Sequence, residues 1–273
     1  MSTIPGVPIA GMAFDGLAER YDSEFTFSQI GRLQRSVVLK KAEATFRPGS
    51  HVLELNCGTG EDAIHLAGSG VHMTACDASE RMIELARAKH DAMSILNSSR
   101  ASVEFIHLST ECLGELPRDF EFDGVFSNFS GLNCIEAVSA VARELDMRLR
   151  PGASLLLCLS TRFCLWEMMY YASKGKLGKA LRRCSGFSSA TMGQFTFPVY
   201  YPTLASLRGS FAPRFLLRSI TGVGIAVPPS YLEPWMAKRP RLLRFLASVD
   251  EIIHDWPLLR TLGDHMLLHL EKR

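Results

Sequence analysis

Residues 51–77, HVLELNCGTGEDAIHLAGSGVHMTACD, decide the fold of this chain. An apolar run enters the tight turn NCGTG at residues 56–60, a short helical segment follows, and a second apolar run ends on Asp77. Strand, glycine loop, helix, strand and terminal acid form the first half of a nucleotide-binding α/β unit. Gly58 and Gly60 allow the backbone to approach a ligand closely, and Asp77 suits the two hydroxyl groups of a ribose.

The charge that follows the glycines separates the ligands that such a unit can bind. A diphosphate would lie at the N-terminus of the helix, where this chain has Glu61 and Asp62. Two acids suit the helix dipole but would repel a diphosphate. They tolerate a ligand with a positive centre and no phosphate, such as S-adenosylmethionine. A glycine turn without a ligand is the structural alternative, and the spacing from the glycines to Asp77 argues against it.

The same segment resembles motifs I and II of the class I S-adenosylmethionine-dependent methyltransferases, whose signature is an acid followed by three alternating glycines. Glu54, Asn56, Gly58 and Gly60 fall on these positions, with Asn56 in place of the first glycine. Asn tolerates positive φ better than most residues, so we expect the turn to form. The resemblance is strong over about residues 45–160 and implies S-adenosyl-L-methionine as the cofactor.

The resemblance also implies a Rossmann-like α/β fold with a seven-stranded, mostly parallel sheet and helical cap insertions. The implied strand order is 3-2-1-4-5-7-6, with only strand seven antiparallel. The apolar runs place the seven strands at 51–56, 71–76, 102–107, 122–127, 153–160, about 214–226 and 265–271. Because ligands bind outside the carboxyl ends of parallel strands, those ends and the start of strand seven should face the active site.

We expect a single methyltransferase domain over residues 1–273. Its parts are the N-terminal lid helices in 1–47, the cofactor-binding core in 51–160, and the substrate cap segments in 161–210 and 228–263. In the lid, the first dozen residues are predicted to be flexible, and Phe14–Phe25 and Ile30–Phe46 are predicted to be helices. In the cap, the small residues of 184–193, CSGFSSATMG, predict a loop.

Other cofactor contacts are implied by the resemblance. Met82 can pack on the adenine or in the core, and Ser109 and Thr110 lie in the motif III region, where the usual acid is missing. Asn128 ends strand four, where cofactor and substrate should meet, and Tyr21 resembles a lid-helix tyrosine near the cofactor. The cofactor-binding candidates are Tyr21, Glu54, Asn56, Gly58, Gly60, Asp77, Ala78, Met82, Ser109, Thr110 and Asn128.

Two residues are candidates for catalysis. Methyl transfer is an in-line displacement that depends on alignment and exclusion of water, and a general base is needed only when the acceptor is protonated. His265 begins strand seven on the active side, and alternation should direct the Asp264 and His265 side chains to opposite faces. Asn133 is a candidate polar positioning group in the loop after strand four. A structural role is the alternative for both.

Aromatic residues in the cap segments indicate the kind of acceptor. Trp166 and Tyr200 are among the side chains expected to select it, and such a pocket suits a small apolar or aromatic metabolite. The pattern resembles the ubiquinone/menaquinone-type methyltransferases, with an O or N atom favoured over carbon as the acceptor. The basic residues of 174–183 either bind an anionic acceptor or form a solvated loop.

Composition excludes several other classes of protein. A net charge of +2 predicts no dedicated nucleic-acid surface, and no apolar run reaches the roughly 20 residues of a membrane span. Seven scattered cysteines and no signal peptide indicate a cytoplasmic protein with no metal site.

A dinucleotide-dependent oxidoreductase is disfavoured by Glu61 and Asp62. A non-catalytic methyltransferase-like binding subunit is disfavoured by intact Gly58, Gly60 and Asp77.

Overall fold

A seven-stranded sheet organises the molecule. The structure, a computed structural model, describes residues 8–94, 101–117 and 121–273. The strands are β1 His51–Leu55, β2 His72–Asp77, β3 Val103–His107, β4 Phe122–Ser127, β5 Leu149–Ser160, β6 Phe187–Met192, β7 Phe195–Tyr200, β8 Phe215–Val223 and β9 His265–Lys272. All except β6 and β7 form one sheet in the order β3-β2-β1-β4-β5-β9-β8, and β9 runs antiparallel to both neighbours. The predicted strand order and direction are therefore confirmed.

Helices cover both faces of this sheet. They are α1 Ile9–Asp15, α2 Ala18–Tyr21, α3 Gln29–Thr45, α4 Glu61–Gly68, α5 Glu80–Ser94, α6 Val138–Arg148, α7 Leu165–Ser173, α8 Leu177–Ala180, α9 Leu204–Phe211, α10 Glu233–Met236 and α11 Pro240–Ile253. One face packs against α6 and α9, and the other packs against α3, α4 and α5. Strands covered on both faces need apolar side chains on both sides, as in β1, where Val52, Leu53 and Leu55 are fully buried.

The N-terminal segment is more ordered than its sequence suggests. Helix α1 begins at Ile9, so the prediction of a flexible first dozen is wrong from there on, and residues 1–7 lie outside the described ranges. The predicted helix Phe14–Phe25 is divided into the end of α1, α2 and the π-helical turn Asp22–Thr26. Gly16 follows α1, and glycine is a poor helix former, which accounts for the first break.

The cap contains a β-hairpin where the sequence predicted a loop. Strands β6 and β7 pair in antiparallel register, with Met192 opposite Phe195 next to the turn. Gly193 has φ +57° in that turn, a conformation that glycine adopts without steric cost. The prediction of a loop over 184–193 is therefore wrong, because a two-residue glycine turn between β-branched and aromatic residues favours a hairpin.

Strand β5 begins earlier than predicted. The predicted strand started at residue 153, whereas β5 starts at Leu149 and includes Arg150, Pro151 and Gly152. The register with β4 shifts between Phe122 and Gly124, and Gly152 has φ +79°. A bulge therefore accommodates this segment. Within the described ranges, every helix is too short or too polar to pass through a lipid bilayer.

Candidate cofactor and acceptor site

The glycine loop after β1 adopts the geometry that its sequence predicts. Asn56, Gly58 and Gly60 all have positive φ, at 56°, 55° and 73°. Gly58 lines a cavity at the carboxyl edge of the sheet, and a Cβ added there would meet only the Tyr21 ring, at 3.9 Å. A Cβ on Gly60 would lie 2.7 Å from the Phe105 ring, so this glycine is required by packing. The structure thus places Gly58 at the cavity and Gly60 beneath the loop.

Asp77 joins the glycine loop to the next helix. Its Oδ2 accepts a hydrogen bond from the Gly58 N–H at 2.8 Å, and its Oδ1 accepts one from the Ser79 N–H at 2.8 Å. Burial raises the pKa of Asp77, against the effect of these two hydrogen bonds. The Ser79 hydroxyl accepts from the Met82 N–H and caps the start of α5. Each carboxylate oxygen keeps a lone pair for another donor.

The cavity beside Asp77, which we call the Asp77 cavity, contains most of the predicted cofactor residues. Its volume is about 80 Å³. The predicted residues that line it are Tyr21, Asn56, Gly58, Asp77, Ala78, Met82 and Asn128. They come from the lid, β1, β2, α5 and β4, so the fold brings five separate parts of the chain to one place.

Helix α1 closes over the Asp77 cavity. A Cβ added to Gly11 would lie 2.5 Å from the Ala78 carbonyl oxygen, so the helix backbone packs directly on the end of β2. Asp15 Oδ1 accepts hydrogen bonds from the Ser79 hydroxyl at 2.6 Å and from the Arg81 N–H at 3.1 Å. The lid is therefore fixed to the same turn that carries Asp77.

The π-helical turn of the lid is tied to the glycine loop. Asp22 accepts a hydrogen bond from the Thr59 hydroxyl at 2.6 Å and pairs with Lys89 at 2.7 Å. Because π-helical turns are rare and occur frequently at functional sites, this turn is a candidate hinge beside Tyr21. No pattern in the sequence predicted this π-helical turn.

A strained turn after β4 separates two cavities. Phe129 and Ser130 have φ 47° and 70°, which non-glycine residues rarely adopt. Asn128 supports the turn, since its Oδ1 accepts from the Phe129 N–H at 2.9 Å and its amide donates to Asp62 at 3.0 Å. Phe129 lines the Asp77 cavity and also a larger cavity beside His265. The strain therefore holds one aromatic ring between the two spaces.

The larger space, which we call the His265 cavity, has a volume of about 370 Å³. Its aromatic lining includes Phe14, Tyr21 and Phe25 from the lid, Tyr201 after β7, and Tyr231 before α10. Phe14 and Tyr21 also line the Asp77 cavity, so the two spaces adjoin. The lid thus contributes as much aromatic surface as the cap, which the sequence did not predict.

Two aromatic residues expected to select the acceptor do not line the His265 cavity. Tyr200 does not line the His265 cavity, whereas its neighbour Tyr201 does. Trp166 donates its indole N–H to the Ala226 carbonyl at 2.9 Å and lines a separate surface groove. Strand β7 ends at Tyr200, so Tyr201 lies outside the strand, and its side chain is buried against the Arg183 guanidinium.

The acids after the glycine loop are paired. Arg35 lies 2.5 Å from Asp62, and Lys89 lies 3.1 Å from Glu61. The argument that these acids would repel a diphosphate is therefore weaker than the sequence suggested. Glu54 lies below the loop with 1% of its surface exposed, and burial raises its pKa well above the usual range. Glu54 does not line either cavity, so in this structure it lies beneath the glycine loop and not at a ligand position.

The basic residues of the cap do not form a uniform solvated loop. Arg183 is buried and contacts Glu167 at 2.8 Å and Asp264 at 2.9 Å. Its guanidinium also lies over the Tyr201 ring, 5.4 Å from the centroid. Arg182 contacts Glu167 at 2.6 Å. This buried ion network fixes the cap to the start of β9, and the sequence could not show it because its partners are distant along the chain.

His265 lies on the wall of the His265 cavity together with Asp264. Both residues line the same cavity, so the prediction that they face opposite sides is wrong; Asp264 precedes β9 and is outside the strand alternation. The His265 Nδ1 lies 3.6 Å from the Asp264 carboxylate and has no hydrogen-bond partner in the described ranges. Burial lowers the pKa of His265, so its imidazole is neutral near pH 7. Its ring meets Phe129 edge to face at 5.4 Å.

Three predicted site residues line neither cavity. Asn133 donates to the Tyr200 carbonyl at 2.6 Å and accepts from the Ser160 N–H at 2.9 Å, so both ends of its amide bind backbone groups. Thr110 donates to Asn56 at 3.2 Å. Ser109 is buried beside it, and its hydroxyl has no partner among the described residues.

Comparisons with known proteins agree with this geometry. Residues 52–152 match the family described as "Methyltransferase domain". A demethylmenaquinone methyltransferase from Clavibacter sepedonicus is 32% identical over 146 residues, which are 53% of this chain and 55% of the relative. One from Beutenbergia cavernae is 31% identical over 150 residues, which are 54% of this chain and 56% of the relative. The chain thus spans about half the length of the curated relatives it matches.

Solved structures share the fold over more of the chain. A methyltransferase from Methanosarcina mazei has 16% identity and a TM-score of 0.59, and the match covers 85% of this chain and 96% of that one. A cyclopropane synthase from Mycobacterium tuberculosis has 15% identity and a TM-score of 0.62, covering 99% and 100%. The family match and the sheet order lead to one assignment. Residues 52–152 match the methyltransferase family, and the chain has the Rossmann-like fold of solved S-adenosylmethionine-dependent methyltransferases.

Proposed function

We propose that this protein is an enzyme that transfers the methyl group of S-adenosylmethionine to an O or N atom of a small, partly apolar or aromatic metabolite. The observation that carries the proposal is the contact between the two cavities. A cavity with glycine, aspartate and asparagine walls adjoins an aromatic cavity at the strained Phe129 turn. A donor and an acceptor bound in these spaces would meet at that turn.

The residues of the Asp77 cavity fit the cofactor. Asp77 would accept the ribose hydroxyls with its remaining lone pairs, while Gly58 leaves room for close approach of the ligand. Ser109, whose buried hydroxyl has no partner among the described residues, lies outside the lining of the Asp77 cavity. When bound, S-adenosylmethionine supplies an electrophilic methyl carbon. Because ligand pockets have volumes of roughly 300–1,000 Å³, the lid helix α1 must move outward to admit it.

The residues of the His265 cavity would position the acceptor and exclude water. The Tyr201 and Tyr231 rings offer flat apolar surface, and neutral His265 can accept a proton from an acceptor hydroxyl or ammonium. The curated relatives are named demethylmenaquinone methyltransferases, which supports an aromatic ring system as the acceptor of this chain.

Calorimetric titration with S-adenosylmethionine, its demethylated product and NAD tests the cofactor. We expect binding of the first two and none of NAD. Binding of NAD alone would contradict the proposal in favour of an oxidoreductase. Binding of S-adenosylmethionine without turnover, across a screen of quinones and phenols, would favour a non-catalytic binding subunit. NMR of the methylated product would locate the new methyl group on O, N or C.

The neighbouring tyrosines test which side chain selects the acceptor. Tyr201 lines the His265 cavity and Tyr200 does not, so Tyr201→Ala should raise the KM for the acceptor several-fold and leave cofactor affinity within about twofold. Tyr200→Ala is the matched control and should leave both constants unchanged. A larger effect from Tyr200→Ala would show that the acceptor binds elsewhere.

A further inference from the structure

The charge of this chain is unevenly distributed. Twelve of its 30 Lys and Arg residues lie in 168–249, where Glu233 is the only acid. The remainder of the chain is therefore acidic, although the net charge of the whole is only +2. Glu233 itself accepts the backbone N–H groups of Gln29 and Ile30, so it is engaged within the fold. Arg182, Arg183, Arg214 and Arg218 pair with acids outside this segment, and the other cations give it a net positive charge.

Two helical segments of this region meet at a surface groove of about 470 Å³. Trp166, Tyr170 and Lys174 from α7 and the turn after it form one wall. Tyr231 and Trp235 belong to the opposite wall, before and within α10. Helix α8 contacts α7, and α11 contacts α10, so the groove joins two helix pairs. We call residues 165–181 and 231–245 the basic face.

Large apolar side chains protrude from the basic face. Trp235 is 42% exposed, and Phe245 is 63% exposed. Met169, Leu177 and Leu181 are more than half exposed on α7, α8 and the residue after α8. Large exposed apolar groups on a soluble protein mark surfaces that bind another molecule.

Cations without a carboxylate partner surround these apolar side chains. They are Lys174, Lys176, Lys179, Lys238, Arg239, Arg241 and Arg244. No ion pair connects any of them to an acid in the part of the chain that the structure describes. Instead, Lys174 lies over the Tyr170 ring at 4.8 Å, and Arg239 lies over the Trp235 ring at 4.4 Å. The basic face thus combines free positive charge with exposed aromatic and aliphatic groups.

We propose that the basic face docks on the surface of a bilayer that contains anionic phospholipids. Amphipathic helices with Lys and Arg around Trp, Phe and Leu lie in the interface between head groups and acyl chains. Trp and Tyr rings favour the head-group level, and cations near an anionic leaflet each raise affinity about fivefold. A nucleic acid would use the cations but would leave Leu177, Leu181 and Phe245 without a partner.

Docking at this face would have a consequence for the acceptor. Tyr231 lines both the surface groove and the His265 cavity, so the two spaces are neighbours. A bilayer against the groove would place the acceptor cavity next to the apolar phase, from which a membrane-dissolved acceptor could enter. This consequence rests on the proposed function, whereas docking itself does not.

Vesicle flotation without cofactor or acceptor tests the docking alone. We expect the protein to bind vesicles of phosphatidylcholine and phosphatidylglycerol at least tenfold more strongly than vesicles of phosphatidylcholine, with affinity falling as NaCl is raised. Arg241→Glu with Arg244→Glu should reduce binding at least tenfold. Trp235→Ser with Phe245→Ser should also weaken it several-fold, because both residues insert apolar surface.

The matched control is Arg47→Glu with Arg143→Glu. These exposed arginines make the same change in net charge, but they lie before β1 and on α6, outside the basic face. Their variant should bind anionic vesicles within about twofold of wild type. Equal loss in both double variants would overturn the proposal, since net charge alone would then govern binding.

Three other outcomes would also overturn it. The first is equal or absent binding to the two kinds of vesicle. The second is binding to a DNA oligonucleotide that exceeds vesicle binding and is insensitive to Trp235→Ser with Phe245→Ser. The third is a dimer, measured by sedimentation velocity, that Phe245→Ser dissociates, because a second copy would then cover the face. A failure of docking leaves methyl transfer to a dispersed acceptor unaffected, so the two proposals are distinguishable.

Discussion

The carboxylate of Asp77 receives two backbone N–H groups and faces the cavity with its remaining lone pairs. Asp77→Ala removes the charge-assisted contact to the ribose that we propose, a loss of about 1.5–3 kcal/mol. Affinity for S-adenosylmethionine should therefore fall about ten- to a hundredfold, measured by calorimetry.

Asp123 provides a control with similar chemistry at the opposite edge of the sheet. It accepts the His51 N–H at 2.8 Å and pairs with Arg150 at 2.6 Å. Asp123→Ala should reduce the free energy of unfolding and leave cofactor affinity unchanged. If a folded Asp77→Ala variant bound S-adenosylmethionine like wild type, Asp77 would not contact the ribose.

His265 determines the pH dependence that we expect of turnover. Burial lowers its pKa below 6.5, so the imidazole remains neutral through pH 7 and becomes protonated only as the pH falls through that lowered value. Turnover should be constant near neutral pH and should fall on the acidic side. General-base catalysis is typically worth about 10²–10⁴ in rate, so His265→Asn should lower kcat at least tenfold and remove the acidic limb.

His269 is the matched control for His265 on the same strand. It is half-buried, its pKa is also lowered by burial, and it contacts the Ser154 hydroxyl at 3.2 Å without lining either cavity. His269→Asn should keep kcat and the shape of the pH profile. Near-normal turnover of His265→Asn would leave alignment alone as the mechanism and make His265 a structural residue.

At the scale of elements, helix α1 is the part of the molecule that must move. Its Gly11 lies so close to the Ala78 carbonyl that any side chain would displace the helix. Gly11→Val should raise the association rate of S-adenosylmethionine and speed hydrogen exchange in α1, because the closed lid loses its contact with Ala78. Gly16→Ala is the control, since a Cβ there meets only the Ala13 carbonyl at 3.6 Å. An unchanged association rate and unchanged exchange in Gly11→Val would show that α1 is not a lid.

The sequence predicted those helices and strands whose pattern is contained in a short stretch of the chain. Apolar runs bounded by turns located the strands of the main sheet, and the positive φ of Asn56 confirms that the glycine turn forms without its first glycine. The hairpin of β6 and β7 has a local pattern too, the glycine turn at Gly193, but the small residues before it are equally typical of a loop. The division of the lid into α1, α2 and the Asp22–Thr26 turn had no such signal, because tertiary contacts to Thr59 and Lys89 hold it.

At the scale of the whole molecule, ion pairs between residues that are distant along the chain could not be predicted from the sequence. Arg35 and Asp62 belong to different helices, and Arg183 reaches Asp264 from 81 residues away. Glu61 and Asp62 therefore appear in the sequence as free acids although the fold pairs both. Most residues of the Asp77 cavity were predicted because one local motif carries them. The lining of the His265 cavity was predicted less well, since lid, cap and β9 meet there only in the folded chain.

Because the Asp77 cavity is built from lid and core together, its ligand should stabilise the whole fold. A ligand at a hundred times its Kd that binds only the folded state contributes about 2.7 kcal/mol. For a chain of this size we expect S-adenosylmethionine to raise the Tm by about 5 °C or more, measured by scanning calorimetry. NAD at the same concentration should leave the Tm unchanged, and Asp77→Ala should lose most of the shift because its Kd is higher. An equal shift with NAD would contradict the cofactor assignment, and a shift confined to one of two separate transitions would show that lid and core do not unfold as one unit.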